Sequence, residues 1–266
     1  MNIETLRTDS FSMRYFRFGH GEKPLVILPG LSVQSVMGAA DAVASAYRSI
    51  GDIFTVYVFD RRSDLPARYP VREMARDTAE AFRALGLREV RLFGASQGGM
   101  IALMIAIEHP ELVGKLALGS SSACVRDEQY RVLENWIRLA KAGDREGLYL
   151  AFGKELYPPA VFDQFRDVLL SAAGTVTDEE LSRFITLAEG TKGFDAVKEL
   201  DRIRCPVFAI GVFEDSVLDS DATMEIAEKL DARPDFRLYM YTGFGHAAFD
   251  TAPDYKDKLL RFFSSP

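Results

Sequence analysis

The stretch "RLFGASQGGM", residues 91–100, crowds three glycines (Gly94, Gly98 and Gly99) around a single serine, Ser96. Upstream, "EVRLFGA" (89–95) is an apolar run of strand length; downstream, "SQGGMIALMIAIEH" (96–109) is long enough only for a helix. A turn in water needs one glycine. The surplus implies a chain that reverses within a residue or two while other backbone passes close by. The pattern G-x-S-x-G between a strand and a helix predicts a strained corner that lifts the serine hydroxyl above the strand's carboxyl end. The helix N-terminus beneath it offers unpaired N–H groups to a developing anion. The plain alternative is a glycine-rich turn with an incidental serine, and the flanking strand and helix weigh against it.

Outward from that corner the chain alternates. "TLRTDSFSMRYFRFG" (5–19) predicts an antiparallel pair of strands, and "PLVILPG" (24–30) and "IFTVYVFD" (53–60) predict strands buried on both faces. Helical runs at 34–47 and 71–85 separate them, and "GKLALGS" (114–120) is another strand. From 125 to 200 no strand-like run occurs; aromatic-rich helical stretches fill it, beginning with "EQYRVLENWIRLAKAG" (128–143). Alternation resumes at "CPVFAIGV" (205–212) and "FRLYMY" (236–241), before a closing helix at 252–263. The expected fold class is α/β: a mostly parallel eight-stranded sheet with helices on both faces. Its core spans 1–123 and 201–266, and 124–200 forms a helical insertion.

The 266 residues are 48% hydrophobic and 27% charged, which suits one globular domain of this size. A formal charge of −7 argues against nucleic acid or an anionic membrane as partner. The longest apolar run, "MIALMIAI" (100–107), falls far short of the roughly 20 residues of a membrane span. The opening "MNIETLRTDSF" lacks a basic segment followed by an apolar one, so no secretory leader is expected. Cys124 follows one predicted strand and Cys205 precedes the next, on the order of 20 Å apart at opposite edges of a parallel sheet. No disulfide spans that distance, and free thiols point to the cytoplasm.

A serine is a weak nucleophile until a base takes its proton, and the chain holds three histidines. His20 sits in a turn at the wrong edge of the sheet. His109 ends the helix after the corner, where a cation suits the dipole. His246, in "TGFGHAAF", follows the last strand on the same edge as Ser96, and Gly243 and Gly245 let its loop bend back. His246 is the base by elimination. The carboxylate that orients it comes from "VFEDSVLDSD" (212–221), because the alternative loop "SSSA" (120–123) has no acid. Asp215 is the first choice, with Glu214 and Asp219 as alternatives.

The order Ser96, Asp215, His246 resembles that of the α/β-hydrolases. The chain looks most like their cytoplasmic esterase, enol-lactonase and proline-iminopeptidase-like members, over 1–123 and 201–266, and by this resemblance the insertion at 124–200 is a helical lid. The resemblance implies that the backbone N–H groups of Leu31 and Gln97 form an oxyanion hole, and that no cofactor or metal is needed. Pro29 departs from it, standing where many members carry histidine. So does "RRS" (61–63), where a glycine often follows the arginine; Asp60, Arg61 and Arg62 read as structural.

Relatives that open epoxides or displace halide use an aspartate in place of Ser96. Neither G-x-G-x-x-G, a Walker lysine nor a metal-ligand spacing occurs. The expected partner is a small-molecule substrate: a mostly uncharged ester, thioester or lactone. No nucleic acid and no membrane is expected, and a homodimer is left open. The competing readings are an N-terminal proline peptidase, which needs acids in the lid (Glu146, Glu155, Asp163 or Asp167), and a weakly catalytic small-ligand-binding protein. Seven aromatics of the insertion (Trp136, Tyr149, Phe152, Tyr157, Phe162, Phe165, Phe184) are expected mainly to pack its helices, with an apolar pocket wall as the alternative.

Overall fold

The computed structural model describes residues 1–265. Eight strands, β1 (Ile3–Arg7), β2 (Ser12–Phe18), β3 (Pro24–Leu28), β4 (Thr55–Arg62), β5 (Val90–Ala95), β6 (Val113–Gly119), β7 (Val207–Val212) and β8 (Phe236–Tyr241), form one sheet in the order β1-β2-β4-β3-β5-β6-β7-β8. β1 and β2 are antiparallel, β2 runs antiparallel to β4, and every later pairing is parallel. The sheet is the mostly parallel one that the alternation predicts.

Helices α1 (Ala40–Ala46), α2 (Arg48–Gly51), α3 (Val71–Ala84) and α4 (Gln97–Glu108) precede β6. Then α5 (Asp127–Lys141), α6 (Arg145–Leu156), α7 (Pro159–Ala173) and α8 (Asp178–Glu189) follow one another between β6 and β7. The chain closes with α9 (Asp219–Leu230), α10 (Ala248–Thr251) and α11 (Tyr255–Ser264). Two apolar clusters lie on the two faces of the sheet: one gathers α3, α4, α9 and the insertion, the other α1, α2 and α11. Alternation along β5 feeds both, since Leu92 belongs to the first and Phe93 to the second.

The strand order places the chemistry. β5 is central, between β3 and β6, so the corner after it is walled by the loops after those two strands. In an open parallel sheet ligands gather at the carboxyl ends of the strands. α4 is apolar on all sides and buried from Gln97 to Ile107, which suits a helix covered by both the sheet and the insertion. The insertion closes at a neck where Cys124 bridges Asp195, with Val125 N–H bonded to Phe194 O (2.9 Å) and Ala196 N–H to Ala123 O (2.8 Å). No helix among the described residues is long and apolar enough to cross a membrane.

Candidate active site

Ser96 sits between β5 and α4 with φ 51° and ψ −123°, a conformation that L-residues seldom adopt. Its neighbours hold it there: Ser96 N–H donates to Gly119 O (2.8 Å), and Ser96 O accepts from Ser121 Oγ (2.8 Å) and Gly99 N–H (2.9 Å). The surplus of glycine has a physical cause. A Cβ on Gly94 would stand 2.3 Å from Gly98 O, and one on Gly98 would stand 2.0 Å from Leu28 O and 2.5 Å from Pro29 O. Helix, strand and the β3 loop therefore touch backbone to backbone. Gly30 continues the contact from the other side, with room for a Cβ only 3.2 Å from that of Ser96.

The loop after β7 and the loop after β8 meet beside this corner. His246 Nδ1 contacts both carboxylate oxygens of Asp215, at 2.9 and 2.8 Å. Asp215 Oδ1 also accepts the N–H groups of Val217 (2.9 Å) and Leu218 (3.0 Å), so the carboxylate is fixed by the backbone of its own turn. Both side chains are buried. The alternatives do other work: Glu214 accepts Gly243 N–H (2.8 Å), while Asp219 accepts Ala222 N–H (3.1 Å) and Gln129 Nε2 (3.3 Å). Gly243 and Gly245 both have positive φ, and Gly245 lies against Leu156 O at the end of α6. That same end accepts Ala247 N–H at Leu156 O (3.0 Å) and Ser216 Oγ at Glu155 O (3.0 Å), tying both loops to the insertion.

Ser96 and His246 line one cavity of about 820 Å³. Asp215 occupies Nδ1, which leaves Nε2 as the ring nitrogen free for proton transfer. Ser96 Oγ forms no hydrogen bond among the described residues; unliganded sites often close such a contact only when substrate arrives. Leu31 lines the cavity too. Neither its backbone N–H nor that of Gln97 donates a hydrogen bond among the described residues. The Gln97 side chain instead points away, donating to Leu187 O of α8 (2.7 Å).

Arg61 has a larger part than sequence reasoning assigned to it. It is buried, and its Nη2 donates to Pro29 O (2.8 Å) and Gln97 Oε1 (3.2 Å). One guanidinium thus joins the residues on both sides of Ser96. Burial pulls its pKa down to about 10, against the favourable charge of Asp60, so it stays cationic at neutral pH. Asp60 in turn accepts Ser35 Oγ (2.6 Å) and Arg183 Nη2 of α8 (3.1 Å). The loop that carries Pro29 is thus held through its carbonyl. A charged residue directly after a buried strand was the available signal.

Four of the seven insertion aromatics, Trp136, Tyr149, Phe152 and Tyr157, line the cavity, and Trp136, Tyr149 and Phe152 also pack with the first apolar cluster, so packing and pocket wall coincide. Phe162 and Phe184 are buried elsewhere, and Phe165 is exposed beside Tyr157. Glu146, Glu155, Asp163 and Asp167 do not line the cavity; Glu180 and Asp250 do. His20 is exposed. His109 stands 3.0 Å from Arg83 Nη2, and burial together with that charge lowers its pKa, so the expected cationic helix cap is a neutral ring at pH 7. Cys124 and Cys205 are both free. No group of three or more His, Cys, Asp or Glu among the described residues could hold a metal ion.

A family profile described as "alpha/beta hydrolase fold" matches residues 23–253. The chain belongs to the α/β-hydrolase fold family. Among curated proteins it is similar to "Putative carbamate hydrolase RutD" of Agrobacterium fabrum, 24% identical over 244 residues, covering 88% of this chain and 92% of that protein. It is also similar to "Serine hydrolase BPHL" of Homo sapiens, 28% identical over 142 residues, covering 50% of this chain and 47% of the other. Among solved structures, the enol-lactonase from Burkholderia xenovorans LB400 superposes with a TM-score of 0.84 at 14% identity, covering 98% of this chain and 100% of its own. An α/β hydrolase from a Medee basin deep-sea metagenome, MGS-M2, gives a TM-score of 0.87 at 19% identity, covering 99% and 98%.

Proposed function

We propose that this protein is a serine hydrolase that cleaves small esters, thioesters or lactones through an acyl-enzyme. Ser96 Oγ attacks the carbonyl carbon while His246 Nε2 takes its proton. The oxyanion that forms is held by the N–H groups of Leu31 and Gln97, each worth about 10²–10³ in rate. Collapse expels the leaving group, which receives the proton from His246. Water, deprotonated by the same imidazole, then attacks the acyl carbon and frees Ser96. Asp215 keeps the proton on Nδ1 and stabilises the imidazolium. Residues 124–200 act as a lid whose aromatics exclude water from the acyl group.

The observation that carries this reading is the buried His246–Asp215 pair on the wall of the cavity that also holds Ser96 at its strained corner. The names of the relatives put carbamates and enol-lactones beside simple esters as candidate substrates. The test is labelling with a fluorophosphonate, followed by hydrolysis of a panel of esters, thioesters, lactones, carbamates and N-terminal proline amides. Wild type should label and turn over, and Ser96→Ala should do neither, with a loss on the order of 10⁶ in kcat. Equal labelling of both proteins, or hydrolysis surviving in the variant, overturns the mechanism. A wild type that binds the panel without labelling is a ligand-binding protein instead.

A further inference from the structure

The lining of the cavity falls into two groups, or arms: Trp136, Phe152 and Leu169, which pack with the first apolar cluster, and Val43, Tyr47 and Phe249, which pack with the second. The second arm carries a charge. Asp250 lies four residues beyond His246, on the short helix α10, and lines the same cavity. Its carboxylate makes no hydrogen bond and no ion pair among the described residues. The nearest ammonium, on Lys256, is committed to backbone: it donates to Phe249 O (2.6 Å) and to the backbone O of Asp250 (3.2 Å). Around the carboxylate stand the Tyr47 and Tyr157 phenols and the Phe249 ring.

Asp250 is exposed as a residue, so its unpaired carboxylate is open to a donor from a ligand, and an open carboxylate in the cavity that holds Ser96 and His246 is placed for recognition. Burial pushes the Asp250 carboxyl up, with the charges of Lys256 and then His246 pulling the other way. An arriving cation supplies what Lys256 does not, a donor at the carboxylate oxygens themselves. The Tyr47 ring already faces one cation, Lys256 Nζ at 5.5 Å from its centroid, so recognition of an arriving one falls to the carboxylate.

We propose that Asp250 is a recognition site for a primary ammonium, so that the preferred substrates carry a cationic amine at the end remote from the scissile carbonyl. This rests on the hydrolase reading for the word substrate; the site itself does not. An apolar stretch of the ligand lies along the arm between Ser96 and Asp250, and the ammonium bonds to the carboxylate. This revises the expectation of a mostly uncharged substrate.

Two measurements test it. Calorimetry on the wild type compares hexylammonium chloride with hexanol, and kinetics compares the nitrophenyl ester of a straight-chain ω-aminoalkanoic acid with that of a fatty acid of equal length. The ammonium member of each pair should be favoured about ten- to hundredfold, the worth of a hydrogen bond to a charged group. In Asp250→Asn both ratios should fall to about one, because the neutral amide lacks the charge that makes the bond worth more. Equal affinity for both ligands in the wild type overturns the proposal, as does a preference that persists in the variant. If neither ester is hydrolysed, the hydrolase reading falls, while the calorimetric pair still decides the role of Asp250.

Discussion

The corner at Ser96 and the far arm of the cavity at Asp250 are built by opposite means. At Ser96 backbone presses on backbone: Gly94 and Gly98 leave no room for a side chain, and a hydrogen bond donated to Gly119 O and others accepted from Ser121 and Gly99 pin the strained residue. At Asp250 side chains define everything, and the carboxylate is left without a partner. On the proposed reading, the first region fixes where bonds are made and the second selects what is brought to them. A site whose position is set by main-chain contact tolerates change in its walls, which is how one fold comes to act on many substrates.

If that contrast is sound, the largest effects follow from placing an atom where backbones touch. Gly98→Ala puts a Cβ 2.0 Å from Leu28 O, and carbonyl oxygens of a buried strand have nowhere to go. The substitution should cost about 1–3 kcal/mol in stability, as overpacking does. Fluorophosphonate labelling should fall with it, because the Pro29–Leu31 loop must move away from Ser96. Urea denaturation and labelling rate, measured on the same sample, check both. Unchanged stability with full labelling would break the comparison, since the corner would then be no tighter than the arm.

Arg61 gives a smaller, sharper effect. Arg61→Met keeps much of the volume but strips the donor from Pro29 O and Gln97 Oε1. Displacing an oxyanion donor costs up to about 10²–10³, and loosening both residues around Ser96 should cost about tenfold or more in kcat. KM should change little, because Arg61 does not line the main cavity. That split separates a positioning role from a merely structural one, which would lower the amount of folded enzyme and leave its kcat intact.

The same contrast explains what the sequence made legible. The glycines around Ser96 encode main-chain proximity, which is local and patterned, so the corner could be read from ten letters. His246 was found by counting, and its two glycines do take positive φ. The choice among Glu214, Asp215 and Asp219 was not local: it depends on which side chain the turn at Val217 and Leu218 aims inward. Arg61 escaped because its partners, Pro29 and Gln97, lie more than thirty residues away on either side. Asp250 escaped for a similar reason. An acid four residues past a histidine looks like any solvated helix face until the cavity it lines is seen. Side-chain walls of this kind are long-range features and leave no period in the sequence.

The smallest effect expected is also the most telling about the arm. Asp250 faces Lys256, His246, Tyr47, Tyr157 and Tyr255, and burial raises its pKa above that of the unfolded chain. The folded protein then holds the Asp250 proton more tightly than the unfolded one. Its contribution favours folding below the ordinary aspartate value of about 3.9 and is lost as pH rises through the raised one. At neutral pH the wild type carries a charge held less favourably than in the unfolded chain, a cost reduced by the exposure of the residue, and Asp250→Asn does not. The variant should therefore melt at a higher temperature than wild type at pH 7, with the gap closing as the pH falls below about 4. Hexylammonium should close it from the other side, by stabilising wild type and not the variant, as any ligand specific to the folded state does. A variant that melts lower at pH 7 would mean that the carboxylate already has a partner holding the fold together, and the arm would then be built like the corner.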